Sequence, residues 1–294
     1  MPDEVAIASL ELKKQALYAQ LRSVGRLMVA YSGGTDSAYL AYAAHQVLGA
    51  EMLAVIADSP SLSRAHLRDA VDFAESQGIP LRVIDTHELE DAEYVRNDSS
   101  RCFHCKDELF KVMAEAGVPL QFTAVAYGMN ADDRGDFRPG QKAAANHKVL
   151  APLAEVGLTK EEIRTLAREA GLRVWDKPAS ACLSSRIAYG LPVTRETLES
   201  IEKGEEVLFS MGFRQFRVRH HGELVRIEIA REELARMLSL SMFEQASVAL
   251  KRLGYKYVTL DLEGYRSGSM NALLPVSEIG LIGAKPSSTS DGVN

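Results

Sequence analysis

Residues 32–37, Ser-Gly-Gly-Thr-Asp-Ser, place two glycines, three hydroxyls and a carboxylate in six consecutive positions. An apolar run, Leu27–Tyr31, feeds this turn, and a helical pattern of Ala38, Leu40, Ala41, Ala44, Val47 and Leu48 leaves it. A glycine turn between a strand and a helix N-terminus lets the backbone approach an anion. Free N–H groups and the helix dipole then favour negative charge. No Gly-x-x-x-x-Gly-Lys-Ser/Thr is present, so this is not a Walker loop. On the phosphate reading, Ser32, Gly33, Gly34, Thr35, Asp36 and Ser37 surround the anion. The plainer reading is a tight Gly-Gly turn with Ser32 capping the helix. Asp36 would repel bare phosphate, so Mg²⁺ is the expected mediator. Its plainer role is to complement the helix dipole.

The chain has three cysteines. Cys102 and Cys105 enclose Cys-Phe-His-Cys, and Cys182 lies in Pro178-Ala-Ser-Ala-Cys-Leu-Ser-Ser-Arg186. An odd count argues against a disulfide framework. A closed zinc site would need a fourth ligand such as His104. Three thiolates suit a [4Fe–4S] cluster with one iron left open. The bland alternative is two inert cysteines near a helix start and a third buried. Cys182 sits in a polar, basic stretch between Lys177 and Arg186, surroundings that lower a thiol pKa. Arg186 itself would hold phosphate, stabilise the thiolate or make a surface ion pair.

Alternating elements must position these groups. Helical signals cover Val5–Leu21, and strands are read at Leu27–Tyr31, Met52–Ala57, Leu81–Asp85 and Phe122–Tyr127. Helices are read at Arg64–Ser76 and Lys160–Ala170, the latter with a Thr159-x-x-Glu162 capping signal and a stop at Gly171. This spacing implies a doubly wound parallel α/β sheet with ligands at the strands' carboxyl ends. Asp58-Ser59 and Gly128-Met-Asn130-Ala-Asp132-Asp133 fall at such ends, although each segment alone is an ordinary loop. Near Gly190–Pro192 the pattern changes to helix (Thr194–Met211), strand (Phe216–His220), strand (Leu224–Ile229), helix (Met242–Leu253) and strand (Tyr257–Leu262). A hairpin around His221-Gly222 and a ferredoxin-like sandwich are expected in this smaller α+β domain. The boundaries read as 1–188, 189–282 and a disordered tail, 283–294. Arg217 and Arg219 alternate on one strand and, with Arg266, would clamp a phosphate or simply be solvated. Glu206 and Glu228 are weaker candidates for metal or substrate contact.

Ser-Gly-Gly-x-Asp-Ser resembles the loop of the PP-loop ATP pyrophosphatases, which bind ATP and release pyrophosphate. The later segments sharpen this. Gly-x-Asn-x-Asp-Asp, Cys-Leu-Ser-Ser-Arg and Asp261-Leu-Glu-Gly-Tyr-Arg-Ser-Gly-Ser-Met-Asn271 together resemble the LarE sulfur transferases, a match running from Leu27 to Asn271. That resemblance implies an enzyme using ATP and Mg²⁺ to adenylate a carboxylate of a pyridinium biscarboxylate mononucleotide. Sulfur then gives a thiocarboxylate, on the route to the nickel-pincer nucleotide cofactor. It also implies an ATP site of Ser32–Ser37, Asp58, Ser59, Gly128, Asn130 and Asp132, with Cys182, Asp36 and Arg186 catalytic. In some members the cysteine matching Cys182 gives up its own sulfur. In others three cysteines hold an iron–sulfur cluster, and Cys102, Cys105 and Cys182 resemble that type. Family members form oligomers, so a homo-oligomer is expected, with the sulfur source left open.

The whole chain sets the remaining bounds. Its 294 residues are 46% hydrophobic and 25% charged, ample for a buried core. No apolar run approaches the roughly 20 residues of a membrane helix, and the N-terminus is unlike a signal peptide, so a cytoplasmic location is expected. A formal charge of −6 offers no general attraction for nucleic acid. This counts against a PP-loop tRNA thiolase. A PP-loop amidotransferase or synthetase would need ammonia, and no glutaminase segment is evident. A non-enzymatic ATP-binding sensor would leave Cys182 without a task.

Overall fold

The computed structural model describes residues 2–134, 139–178 and 181–266. The expected tail, 283–294, and the stretch from Ser267 to Asn271 of the C-terminal motif lie outside the described residues.

The chain begins with helix α1 (Pro2–Val24), strand β1 (Leu27–Ala30) and helix α2 (Thr35–Leu48), followed by β2 (Met52–Asp58), α3 (Arg64–Ser76) and β3 (Leu81–Asp85). Next come α4 (Ala92–Val95), α5 (Arg101–Gly117), β4 (Ala124–Tyr127), α6 (Pro139–Asn146), α7 (Pro152–Glu155) and α8 (Lys160–Glu169). The four strands form a parallel sheet in the order β3-β2-β1-β4. Side chains alternate along β1 as strand geometry requires. Leu27 and Val29 join the apolar layer of α1, α2, α3 and α8, with Leu17, Tyr39, Phe73 and Ile163. Met28 and Ala30 face the opposite layer, where α5 and α6 contribute Phe110, Met113 and Ala143. Both faces are covered, so the sheet is doubly wound as expected.

The chain runs outward from β1 to β3 and then returns to β4 on the other side of β1. That reversal creates a crevice at the carboxyl ends of β1 and β4. The loop after β1 lies there. Thr159 and Glu162 form the reciprocal box that the sequence signals at the start of α8, and the structure adds a cap at α3, where Ser63 accepts the His66 N–H. The cysteine pair sits in the first two turns of α5, at its second and fifth residues.

The second sheet comprises β5 (Phe216–His221), β6 (Leu224–Ile229) and β7 (Tyr257–Leu260), packed on α9 (Arg195–Ser210) and α11 (Leu240–Arg252), with the short α10 (Arg231–Met237) between β6 and α11. The β5–β6 hairpin turns at Gly222, whose φ of 73° is open to glycine without strain. The ferredoxin-like expectation is corrected. β7 pairs directly and in parallel with β6, giving a mixed sheet in the order β5-β6-β7. A full first strand is replaced by a single parallel bridge from Ile187 to His220. A separate apolar cluster of Tyr94, Leu183, Ile187, Val193, Leu198 and Ile201 joins the two sheets' layers, and Cys105 packs against it.

The end of β4 touches the start of α2 with no room to spare. A Cβ on Gly128 would stand 2.7 Å from the Ser37 backbone nitrogen and 2.9 Å from its Cα. We expect Gly128→Ala to push these elements apart, destabilising the fold by about 1–3 kcal/mol and raising the KM for ATP. Urea unfolding beside ATP titration checks this, and a variant matching wild type in both would refute the close-packing argument.

Candidate functional site

The loop after β1 is held by its own hydroxyls and by neighbours from α3 and from the segment that follows α8. The Ser32 N–H donates to Ser37 Oγ at 3.1 Å, and the two serine hydroxyls lie 3.0 Å apart. Gly33 has a φ of 70°, and a Cβ there would meet the Ala70 Cβ at 2.6 Å, so only glycine lets α3 approach so closely. From α3, His66 Nε2 donates to the Ser32 carbonyl at 2.7 Å, which fixes its tautomer because a carbonyl only accepts. Burial and the Lys177 charge hold His66 below its usual range despite that hydrogen bond. Lys177 Nζ donates to the Gly33 carbonyl at 3.0 Å and pairs with Asp69. Thr35 spends its hydroxyl on the Val174 carbonyl, 2.8 Å away, leaving its N–H at the helix start as its contribution to an anion.

Asp36 is the carboxylate of this crevice. Its Oδ2 pairs with Lys160 Nζ at 2.7 Å, while its Oδ1 is buried without a partner. A buried carboxylate oxygen without a donor is costly. A divalent cation satisfies that oxygen, so the residues present fit Mg²⁺. Asp132 Oδ2 accepts the Lys160 N–H at 2.8 Å, and Asn130 caps the turn over Ala131–Asp133. Lys160 thus links Asp132 to Asp36, Asn130 holds Asp132 in place, and Gly128 packs directly on the backbone of Asp36 and Ser37.

Asp58 pairs with Arg64, and the Ser59 hydroxyl meets Ser61 Oγ at 2.8 Å and also binds Glu88. A cavity of about 590 Å³ opens beside them, walled by Asp58, Asp85, Thr86, Arg195 and Glu202 among others. Ser61 also makes the link to the sulfur-bearing turn, since its carbonyl accepts the Leu183 N–H at 2.7 Å.

The three cysteines come together from two segments, in reach of each other's charge. Cys102 is exposed, and Cys105 and Cys182 are partly so. Enough protein nonetheless crowds each sulfur for burial to disfavour its charged form. Burial and the Cys182 charge push the Cys102 thiol up, and they push Cys105 up to about 12. Cys182 goes the other way. Burial opposes its thiolate, but the Arg101 charge, the Ser184 hydroxyl at 3.0 Å, the Arg186 charge and the Ser185 N–H outweigh it. Among the described residues no three Cys, His, Asp or Glu side chains converge on one metal ion. A cubane cluster takes one thiolate per iron, so its ligands surround a volume instead of a point, and the donor set of three sulfurs suits it chemically.

Arg186 is buried, bound to Glu205 at 3.0 Å and to the Cys182 carbonyl at 2.8 Å. Its contacts anchor the turn, while its charge favours the thiolate. Arg219 pairs at 2.8 Å with Glu228, which is 0% exposed, and reaches the Ser185 carbonyl at 3.2 Å. Arg217 stacks 4.9 Å from the Tyr265 ring centre. Arg266 pairs with Glu263 and, at 3.4 Å, with Asp261. The arginines on the second sheet thus sit among acids and an aromatic ring. Reading the sequence missed His66, Lys160, Lys177 and Arg101. No motif marks them, because their roles come from long-range contacts.

The NAD synthase family model matches residues 13–114. An uncharacterized protein of Synechocystis sp. is 38% identical over 265 residues, covering 90% of this chain and 99% of that protein. The pyridinium-3,5-bisthiocarboxylic acid mononucleotide synthase of Lactiplantibacillus plantarum is 33% identical over 274 residues, covering 93% of this chain and 99% of that enzyme. An uncharacterized protein of Methanocaldococcus jannaschii is 28% identical over 242 residues, 82% of this chain and 91% of that protein.

The opposite shifts of the cysteines give a pH signature. Only a thiolate attacks an alkylating agent. Cys182 should therefore react with iodoacetamide at neutral pH faster than an ordinary thiol and slow as pH falls through its lowered pKa. Cys105 should stay inert until strongly alkaline pH. Peptide mapping of alkylated metal-free protein from pH 5 to 10 checks this. Equal rates at the two cysteines near pH 7 would contradict it.

Proposed function

This chain belongs to the family of pyridinium-3,5-bisthiocarboxylic acid mononucleotide synthases, the LarE-type PP-loop sulfur transferases, and on that premise we propose that it makes a thiocarboxylate from a carboxylate of the pyridinium biscarboxylate mononucleotide at the expense of ATP. The observation that carries this reading is the docking of a thiolate-favouring Cys182 turn on the loop ending β2, at the carboxyl edge of the sheet that also bears the phosphate loop.

A carboxylate is a poor acyl donor because its oxygen leaves badly. A substrate carboxylate oxygen attacks the α-phosphorus of ATP, the bond to the β-phosphate breaks, and pyrophosphate departs. Sulfur then attacks the activated carbonyl carbon, and AMP leaves with the electrons of the C–O bond. The free N–H groups at the start of α2, Gly33 and Gly34 would cradle the phosphates, with Ser32, Ser37, Gly128, Asn130 and Asp132 shaping the site and Asp58 and Ser59 at the nucleoside end. Supporting Mg²⁺ at Asp36 is that residue's unpartnered Oδ1. Arg217 and Arg266 would meet the substrate phosphate, while Arg219 stays paired with the buried Glu228. Residues 1–188 would handle ATP, and residues 189–282 the substrate and the contacts of a homo-oligomer.

Cys102, Cys105 and Cys182 would hold a [4Fe–4S] cluster whose open iron would bind the extra sulfide for transfer, delivered by a sulfide donor that is left open. Support comes from three cysteines within reach of each other's charge, where a single sacrificial thiol would need only Cys182. No helix among the described residues is long and apolar enough to cross a membrane, in keeping with a cytoplasmic enzyme.

Purified anaerobically, wild type should carry about four irons per chain, lost in both Cys102→Ala and Cys182→Ala. Cys182→Ala should still release pyrophosphate within a few-fold of wild type while thiocarboxylate formation falls by about 10³-fold or more, as for loss of a nucleophile. Absence of pyrophosphate release with the mononucleotide and ATP would overturn the function. Iron-free wild type that loses about 34 Da, one H₂S, on turnover would replace the cluster by sacrificial Cys182 sulfur.

A further inference from the structure

The carbonyls of the phosphate loop are held from behind. His66 Nε2 donates to the Ser32 carbonyl at 2.7 Å, and Lys177 Nζ donates to the Gly33 carbonyl at 3.0 Å. His66 and Asp69 lie three residues apart on α3, hence on one face of it, and Asp69 holds Lys177. Both carbonyls are therefore turned to the same side of the loop. The flanking residues are tied to the same backing. The Tyr31 hydroxyl donates to the Ala70 carbonyl at 2.9 Å, and the Thr35 hydroxyl to the Val174 carbonyl at 2.8 Å. The missing side chain of Gly33 lets His66 come so near, since a Cβ there would stand 3.0 Å from its Nε2.

Whatever binds a carbonyl also aims the N–H of the same peptide. No peptide bond among the described residues is cis, and in a planar trans peptide the C=O and N–H point in opposite directions. Turning the Ser32 carbonyl onto His66 points the Gly33 N–H away from α3. The Lys177 contact does the same for the Gly34 N–H. Among the described residues, neither group meets a protein acceptor, and nor does the Thr35 N–H. Consecutive unpaired N–H groups of this kind form an anion-binding concavity.

The two contacts differ in what ATP does to them. Lys177 is a cation already shared with Asp69, and a polyphosphate competes for it. His66 is half-buried, and burial with the Lys177 charge keeps it below its usual range, so it binds the Ser32 carbonyl as a neutral donor that phosphate does not draw away.

We propose that His66 is a positioning residue for the phosphates of ATP: by holding the Ser32 carbonyl it keeps the Gly33 N–H turned into the crevice, and tight binding of the β and γ phosphates depends on that orientation. This deepens the ATP-dependent reading of the loop and rests on it. The role needs one N–H at one point, so another neutral donor reaching the same point serves equally.

The test compares two nucleotides binding to the full-length protein with Mg²⁺ by calorimetry. One is AMP, and the other is an ATP analogue with a methylene group between its α and β phosphorus atoms, which cannot release pyrophosphate. The ratio of their dissociation constants isolates the β and γ phosphates, because the nucleoside and α-phosphate are common to both. In His66→Leu, which has no donor, the preference for the analogue should fall about tenfold. His66→Gln, whose amide nitrogen reaches about as far as Nε2, should keep most of it, and the shorter His66→Asn should lose it as leucine does. A merely structural role would weaken both nucleotides alike and leave the ratio unmoved. An unchanged ratio in His66→Leu overturns the proposal, as does a His66→Gln ratio as low as that of the leucine variant. If His66→Leu does not fold, His66→Asn takes its place in the comparison. Wild type that holds AMP as tightly as the analogue removes the phosphate-loop reading itself, whereas a wild-type preference that His66→Leu retains removes the role of His66 alone.

Discussion

One backbone hydrogen bond, from the Leu183 N–H to the Ser61 carbonyl, sets the turn bearing Cys182 against the carboxyl edge of the parallel sheet. Everything chemical in this molecule depends on that docking. Ser61 lies just beyond β2, so the turn inherits the position of the sheet, while Leu183 drives its side chain into the cluster of Tyr94, Val193 and Leu198. The apolar contact supplies the free energy, at roughly 25 cal/mol per Å² buried, and the hydrogen bond supplies the register. Arg186 and Arg101 then bind the turn through two of its carbonyls, those of Cys182 and Ser184. A thiolate at Cys182 is thereby fixed relative to a phosphate loop that belongs to a different part of the chain.

The parallel sheet was legible because its signals are local and agree with one another. Four apolar runs of strand length, a glycine turn and a reciprocal cap at Thr159 and Glu162 each point to the same architecture. Arg64–Ser76 and Leu81–Asp85 were readable to the residue. The second sheet was less so. Its elements could be read, but the pairing of β7 with β6 depends on which edge is free, and Ile187 contributes only a bridge where a strand would have closed the sandwich. Periodicity says which face of a strand is buried and is silent about its neighbour.

The site shows the same division. Ser32–Ser37, Gly128 and the cysteines were legible as types that chemistry requires. Their supporting contacts were not. Lys160 meets Asp36 across 124 residues, and Lys177 meets Gly33 across 144. A lone lysine in a sequence resembles any solvated lysine, and only the fold distinguishes these two. Arg219 shows the converse: alternation on β5 made it a plausible phosphate ligand, yet in the structure Glu228 sits across the hairpin and takes its charge.

The cations of the phosphate crevice resolve an electrostatic conflict. A triphosphate and the Asp36 carboxylate carry the same sign, and without ligand the lysines would repel one another. Each lysine is instead held by an acid: Lys160 by Asp36, and Lys177 by Asp69. These partly exposed pairs contribute little to stability, about 0–1 kcal/mol each, so exchanging them for phosphate costs little. The sulfur centre follows the opposite rule. Arg186 and Arg219 sit in buried pairs whose rupture would leave an uncompensated charge, a loss of about 3–5 kcal/mol. The nucleotide end is therefore built from exchangeable ion pairs and the sulfur end from fixed ones. That division suits a reaction in which ATP enters and leaves on every turnover while the sulfur-bearing turn must keep its place.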